Sequence, residues 1–249
     1  MAHAVQLFDI PLATLLIAVL ATTIGATVQG SVGFGLAMIS SPILLIVEPR
    51  LAPCPLMFCV TMLTIMILIR EHRSVVKTEV AISSVSRLIT TIPTAYVVSV
   101  VDAKTFSLLF STAVLLVISL NFAGLKVKFN HRNLAIASGI AGISNTISAI
   151  GGPAMAIIYQ SQKGTHIRGT LSAIFAVGST MSMLSLAAVG KFGWKDIQLA
   201  MLLMPGILIG FGISHYTARA LDKRNIRPAV LAVAGLSALV ILVKTLLSY

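Results

Sequence analysis

The chain has 249 residues, 57% of them hydrophobic and only 10% charged, and its mean hydropathy is +1.00. This composition excludes a water-soluble domain: a soluble protein of this length covers its surface with charges, whereas long stretches here carry none, so its solvent is lipid. The net charge of +11 does not point to a nucleic-acid partner, because the Lys and Arg residues sit in short clusters between apolar runs, where cytoplasmic loops carry them.

Residues 1–9 contain no Lys or Arg and so lack the basic start of a cleavable signal peptide; the first apolar run is expected to be retained. Apolar runs follow at 12–29, 31–47, 51–69, 80–101, 105–125, 133–148, 150–162, 169–190, 197–217 and 228–247. Each is expected to be a helix, since a backbone in lipid must satisfy its own polar groups, and none shows the short alternation of a barrel strand. The expected fold class is therefore all-α, a polytopic helical membrane protein.

Two stretches, 12–47 and 133–162, are unusual. Their paired runs are separated by no charge, only by Gln29-Gly30-Ser31-Val32-Gly33-Phe34-Gly35 and by Asn145-Thr146-Ile147-Ser148-Ala149-Ile150-Gly151-Gly152-Pro153. Glycine weakens helix in both, and Pro153 is expected to interrupt the second. At 1.5 Å per residue the pieces after the breaks reach about 25 and about 20 Å, short of a hydrocarbon core about 30 Å thick. Broken or re-entrant short helices are expected there.

Lys and Arg near membrane ends favour the cytoplasm, and they test this topology. If each close pair crosses twice or dips in and returns, one side collects Arg70, Arg73, Lys77, Lys126, Lys128, Arg132, Lys163, Arg168, Arg219, Lys223, Arg224 and Arg227. The other side receives only Arg50, Lys104, Lys191, Lys195 and Lys244. Treating each pair as one continuous span removes the bias. The favoured arrangement puts both termini on the non-cytoplasmic side and makes the chain two inverted-topology repeats of about five segments, 1–125 and 133–249, forming one membrane domain joined by a basic cytoplasmic linker at 126–132. Gln29 and Asn145, Phe34 and Ile150, and Gly35 and Gly151 share one spacing, although only the glycine pair is identical.

All seven acids fall at predicted segment ends or in loops, which argues against a midplane carboxylate that binds a cation or relays protons. Arg87 is the basic residue well inside a run. It either pairs with an anionic substrate or snorkels to the nearby interface. The breaks are the stronger candidates. A helix that starts at mid-membrane aims free N–H groups and a positive dipole end at the bilayer centre, where they attract anions. Gly30, Gly33, Gly35, Gly151 and Gly152 let a ligand approach the main chain, Phe34 lies between two of them, and Gln29, Ser31, Asn145, Thr146 and Ser148 add neutral donors. The alternative is that small residues simply let helices pack closely, as Gly25, Gly30 and Gly35 would also do.

Cys54 and Cys59 lie on one predicted helix and read as buried thiols, and the His residues lack metal-ligand spacing, so no metal or cofactor is expected. Tyr96, Tyr159 and Gln160 read as interface anchors or substrate contacts. A Ser nucleophile with a base at depth is missing, as are hydrolase and nucleotide motifs, so an enzyme is not expected.

Gly30-Ser31-Val32-Gly33-Phe34-Gly35 with Pro42 after it, and Gly142-Ile143-Ser144 leading to Ile150-Gly151-Gly152-Pro153, resemble the glycine motifs of the sulfite exporter TauE/SafE family, also described as toluenesulfonate uptake permeases. The two-half layout extends the resemblance over the whole chain. The halves differ, since Leu36 and Ala37 stand where the second half has Gly152 and Pro153. The resemblance implies transport of a sulfur-containing or other small anion, such as sulfite or a sulfonate, across a bacterial inner membrane. No nucleotide motif is present in the sequence, so secondary transport is expected, driven by the substrate's own gradient or by an ion gradient, with a proton or sodium ion as possible coupling ion. An anion channel with the same donors is the alternative.

Overall fold

The computed structural model describes residues 10–102, 105, 108–109, 112, 127–159 and 165–223. Among these residues all regular structure is helical, and the principal elements are α1 (Leu12–Val32), α2 (Leu36–Val47), α3 (Cys54–Glu71), α4 (Lys77–Val100), α5 (His131–Ser148), α6 (Gly152–Ile158), α7 (Thr165–Ala188) and α8 (Trp194–Lys223). Helices α1, α3, α4, α7 and α8 contain stretches long and apolar enough to cross a membrane. The chain is a multi-pass membrane protein. The predicted runs at 105–125 and 228–247 lie largely or wholly outside the described residues.

The helix ends follow local chemistry. Pro11 precedes α1, and the Asn130 side chain accepts the Asn133 N–H at 2.8 Å to cap α5. Helix α1 runs through Gln29, Gly30 and Ser31 and stops only at Gly33 and Gly35, whose φ values of +99° and +139° suit glycine. The first break is therefore shorter than the sequence suggests. Asn145 to Ser148 are likewise helical, and α5 ends at Ala149, a non-glycine residue at φ +60°. Pro153 does not interrupt a helix. It stands in the first turn of α6, where its missing N–H has no intrahelical partner to lose.

Packing brings both breaks inside. Helix α2 folds back along α1, with Ser40 Oγ donating to the Ala21 carbonyl at 3.0 Å. Helix α8 lies against the opposite side of α1: a Cβ on Gly210 would stand 2.5 Å from the Thr23 carbonyl, so glycine is required for that approach. Helices α4 and α5 are joined by Thr90, whose hydroxyl donates to the Gly139 carbonyl at 3.0 Å.

The outer surface is apolar and the interior is partly polar, the reverse of a soluble protein. Leu12, Leu16, Leu20 and Ile24 form an exposed stripe along α1, whereas Ser83, Arg87, Thr91, Ser138, Ser144, Asn145, Ser179 and Ser182 are buried. Lipid covers the first set, and helix packing shields the second. Glu79 differs from the expectation for a segment-end acid. Its side chain is buried and accepts a hydrogen bond from the Tyr159 hydroxyl at 2.5 Å. Tyr159 is thus an interior residue and not an interface anchor, whereas Tyr96 is exposed.

Candidate functional site

The two breaks pack against each other. Ser41 Oγ on α2 donates to the Ser148 carbonyl at 3.1 Å, and a Cβ on Gly152 would stand 3.3 Å from the Phe34 Cβ. Between them lies a cavity of about 20 Å³ whose wall includes Gln29, Phe34, Met38, Asn145, Gly151 and Phe175. Gly35 and Gly152 also border it. Of the residues singled out in the sequence, Gln29, Phe34, Gly35, Asn145, Gly151 and Gly152 thus meet in one place.

Gln29 performs two tasks. Its Oε1 accepts the Leu36 N–H at 2.9 Å, which caps the start of α2, and its Nε2 is buried without a partner. Ala37 and Met38 follow Leu36 in the first turn of α2, where N–H groups have no intrahelical acceptor, and both border the cavity. Asn145 donates from Nδ2 to Ser182 Oγ at 3.0 Å, and Thr146 Oγ1 shares that hydroxyl at 3.0 Å.

The remaining candidates do not border the cavity. Ser31 Oγ donates to the Thr27 carbonyl at 2.7 Å and pairs with Thr217 Oγ1 at 2.9 Å. Ser148 Oγ donates to the Ser144 carbonyl at 2.7 Å and accepts the Ile150 N–H at 3.2 Å, closing the second break. Gly30 packs against Ser214, and its carbonyl accepts from Arg70 Nη2. Gly33 approaches Leu171 and Arg168 on α7. Arg168 Nη1 donates to the Ser31 carbonyl at 3.4 Å, and Glu71 pairs with both Arg70 and Arg168 at 3.4 Å. These cations close the end of α1, where the helix dipole favours positive charge.

Arg87 carries the most informative geometry. Its side chain is 0% exposed, so it does not snorkel out to an interface, and all three guanidinium nitrogens lack hydrogen-bond partners. Glycines make room for it on two sides. A Cβ on Gly178 would collide with Nη1, and one on Gly151 would stand 3.4 Å from Nη2. The Phe175 ring lies 5.3 Å from Cζ and provides the guanidinium with an aromatic face. Gly151 and Phe175 also border the cavity, so the unpaired cation stands directly behind its wall. A buried charge with no partner is strongly unfavourable unless something supplies the opposite charge.

Phe175, Met38 and Ser182 were not among the sequence candidates. Ser172, Phe175, Ser179 and Ser182 recur at three- and four-residue intervals, a polar face on α7 that was readable as a pattern but had no partner until the fold placed it beside the breaks.

Comparison with curated proteins and with solved structures gives no significant match. A family model described as Sulfite exporter TauE/SafE matches residues 16–241, which include both breaks, Arg87 and nearly all of the helical body, and the chain belongs to that family.

Proposed function

We propose that this protein is a secondary transporter that moves a small sulfur-containing anion, a sulfite or a sulfonate, across the bacterial inner membrane, with the anion held between the two helix breaks. The observation that carries this reading is the unpaired, fully buried Arg87 guanidinium behind a cavity bordered by the unpaired Nε2 of Gln29. Membership in the sulfite exporter family supports the class of substrate.

Arg87 supplies the countercharge, and its planar fork suits an oxyanion. Gln29, Asn145 and the first-turn amides of α2 supply neutral donors that hold the anion without trapping it. Gly35, Gly151 and Gly152 allow close approach to the main chain, Gly33, Phe34 and Ser148 shape the two breaks around it, and Gly30, Ser31 and Thr146 fix the flanking helices through Ser214, Thr217 and Ser182. A space of about 20 Å³ accommodates a water molecule, not an oxyanion, so the breaks must separate slightly when the anion enters. Two inverted halves, 1–125 and 133–249, with re-entrant pieces at their centres would provide that movement by rocking about the shared site, driven by a proton or sodium gradient.

Counterflow of labelled anion in proteoliposomes tests the reading. Gln29→Ala and Asn145→Ala are each expected to weaken half-saturation about tenfold, the loss of one hydrogen bond to a charged ligand. Unchanged affinity for every transported anion in both variants contradicts the site. Saturable counterflow also distinguishes this carrier from a channel with the same donors.

A further inference from the structure

A second and larger cavity, about 310 Å³, lies where α3 begins and α4 and α7 end, with Cys54, Val98, Val101, Thr146, Leu186 and Lys191 in its wall. Three observations connect it with the inter-break cavity. Thr146 borders the larger space and its chain neighbour Asn145 borders the smaller one, so a single turn of α5 separates them. Hydrogen bonds cross that partition: Asn145 and Thr146 both meet Ser182 Oγ at 3.0 Å. On α4, Arg87, Thr91, Thr94 and Val98 recur at three- and four-residue spacing with their side chains buried, and Val98 and Val101 then enter the wall of the larger cavity. Thr91 Oγ1 is buried without a partner on that line.

The wall chemistry indicates what the larger cavity holds. Lys191 is the charged residue in it, and no ion pair to Lys191 occurs among the described residues. The nearby Asp196 carboxylate accepts the Gly193 N–H at 2.8 Å. Valine, leucine and proline side chains line the rest. One cation at the rim of an apolar space suits an anion that carries a short hydrocarbon group better than a fully hydrated inorganic one.

We infer that this cavity is an outer chamber of the transport path, a holding site for small organic anions attracted by Lys191. The hydrogen-bonded layer of Asn145, Ser182 and Thr146 is the partition that opens to pass them on to Arg87. The inference rests on the inter-break reading for its destination, but the chamber is tested separately.

Cys54 provides a probe within the wall. The chain has two cysteines, so a Cys59→Ala variant leaves Cys54 as its sole thiol. The purified full-length protein in nanodiscs is treated with the anionic sulfonatoethyl and the cationic aminoethyl methanethiosulfonates. Both reagents are expected to modify Cys54, and Lys191→Gln is expected to lower the anionic-to-cationic rate ratio about fivefold. Full modification by the anionic reagent is expected to abolish counterflow. The inference is overturned if neither Cys54 nor a thiol introduced by Val101→Cys reacts, if Lys191→Gln leaves the ratio unchanged, or if the modified protein transports at the original rate. Arg87-dependent anion binding that survives any of those results leaves the inter-break site standing without the chamber.

Discussion

Arg87 sets the energetics of the site at the level of a single residue. Its guanidinium is buried without a hydrogen bond, and Gly178 is small enough to leave it room. A residue retained for stability would be paired. One retained for binding imposes a cost on the empty protein that the ligand offsets. Arg87→Met is therefore expected to raise the melting temperature of the ligand-free protein by several degrees, equivalent to about 2 kcal/mol, while abolishing transport. Calorimetry checks this, and a fall in melting temperature contradicts the unpaired state. The sequence marked Arg87 as a charge within an apolar run, but it could not separate substrate pairing from snorkelling. That distinction depends on Gly151, Gly178 and Phe175, which reach it from distant parts of the chain.

The element scale is dominated by the two breaks. Their existence was legible because glycine and uncharged polar residues are out of place in an apolar run, and both breaks fall within the predicted stretches. Their lengths were less legible. Gln29-Gly30-Ser31 looks like a helix breaker but is helical: Gly30 serves the approach of Ser214 on α8, and the Gln29 side chain caps α2. Close packing and site geometry thus divide the glycines between them: Gly25, Gly206 and Gly210 serve contacts along α1, whereas Gly35, Gly151 and Gly152 border the cavity. Ala149 turns the second break at φ +60°, where glycine carries no penalty. Ala149→Gly is expected to stabilise the protein by about 1 kcal/mol in thermal unfolding, less whatever the buried methyl contributes. Any net loss of stability would show that the methyl packing outweighs the backbone term.

Across the whole molecule, composition fixed the class most firmly. A chain with 10% charged residues can place apolar side chains such as Leu16, Ile24 and Leu208 outward only in lipid, and the described helices do so. Long-range pairing was not readable in the same way. Nothing in the sequence indicated that Ser182 would meet Asn145, that Arg70 and Arg168 would close the end of α1, or that Glu79 would be buried against Tyr159, because these partners lie 37 or more residues apart and meet only through the packing of separate segments. The parity of crossings suggested by Lys and Arg motivates the inverted-repeat proposal, and both termini are then expected on the less basic side. The central claim is that an anion completes the charge of Arg87 between the breaks. Its most direct measurement is the melting temperature of the purified protein against rising concentrations of sulfite, sulfonates, sulfate and carboxylates, compared between the natural sequence and Arg87→Met. The expected result is saturable stabilisation of the natural protein by a sulfite or sulfonate that disappears in Arg87→Met. No stabilisation by any of these anions, or stabilisation undiminished in Arg87→Met, would contradict it.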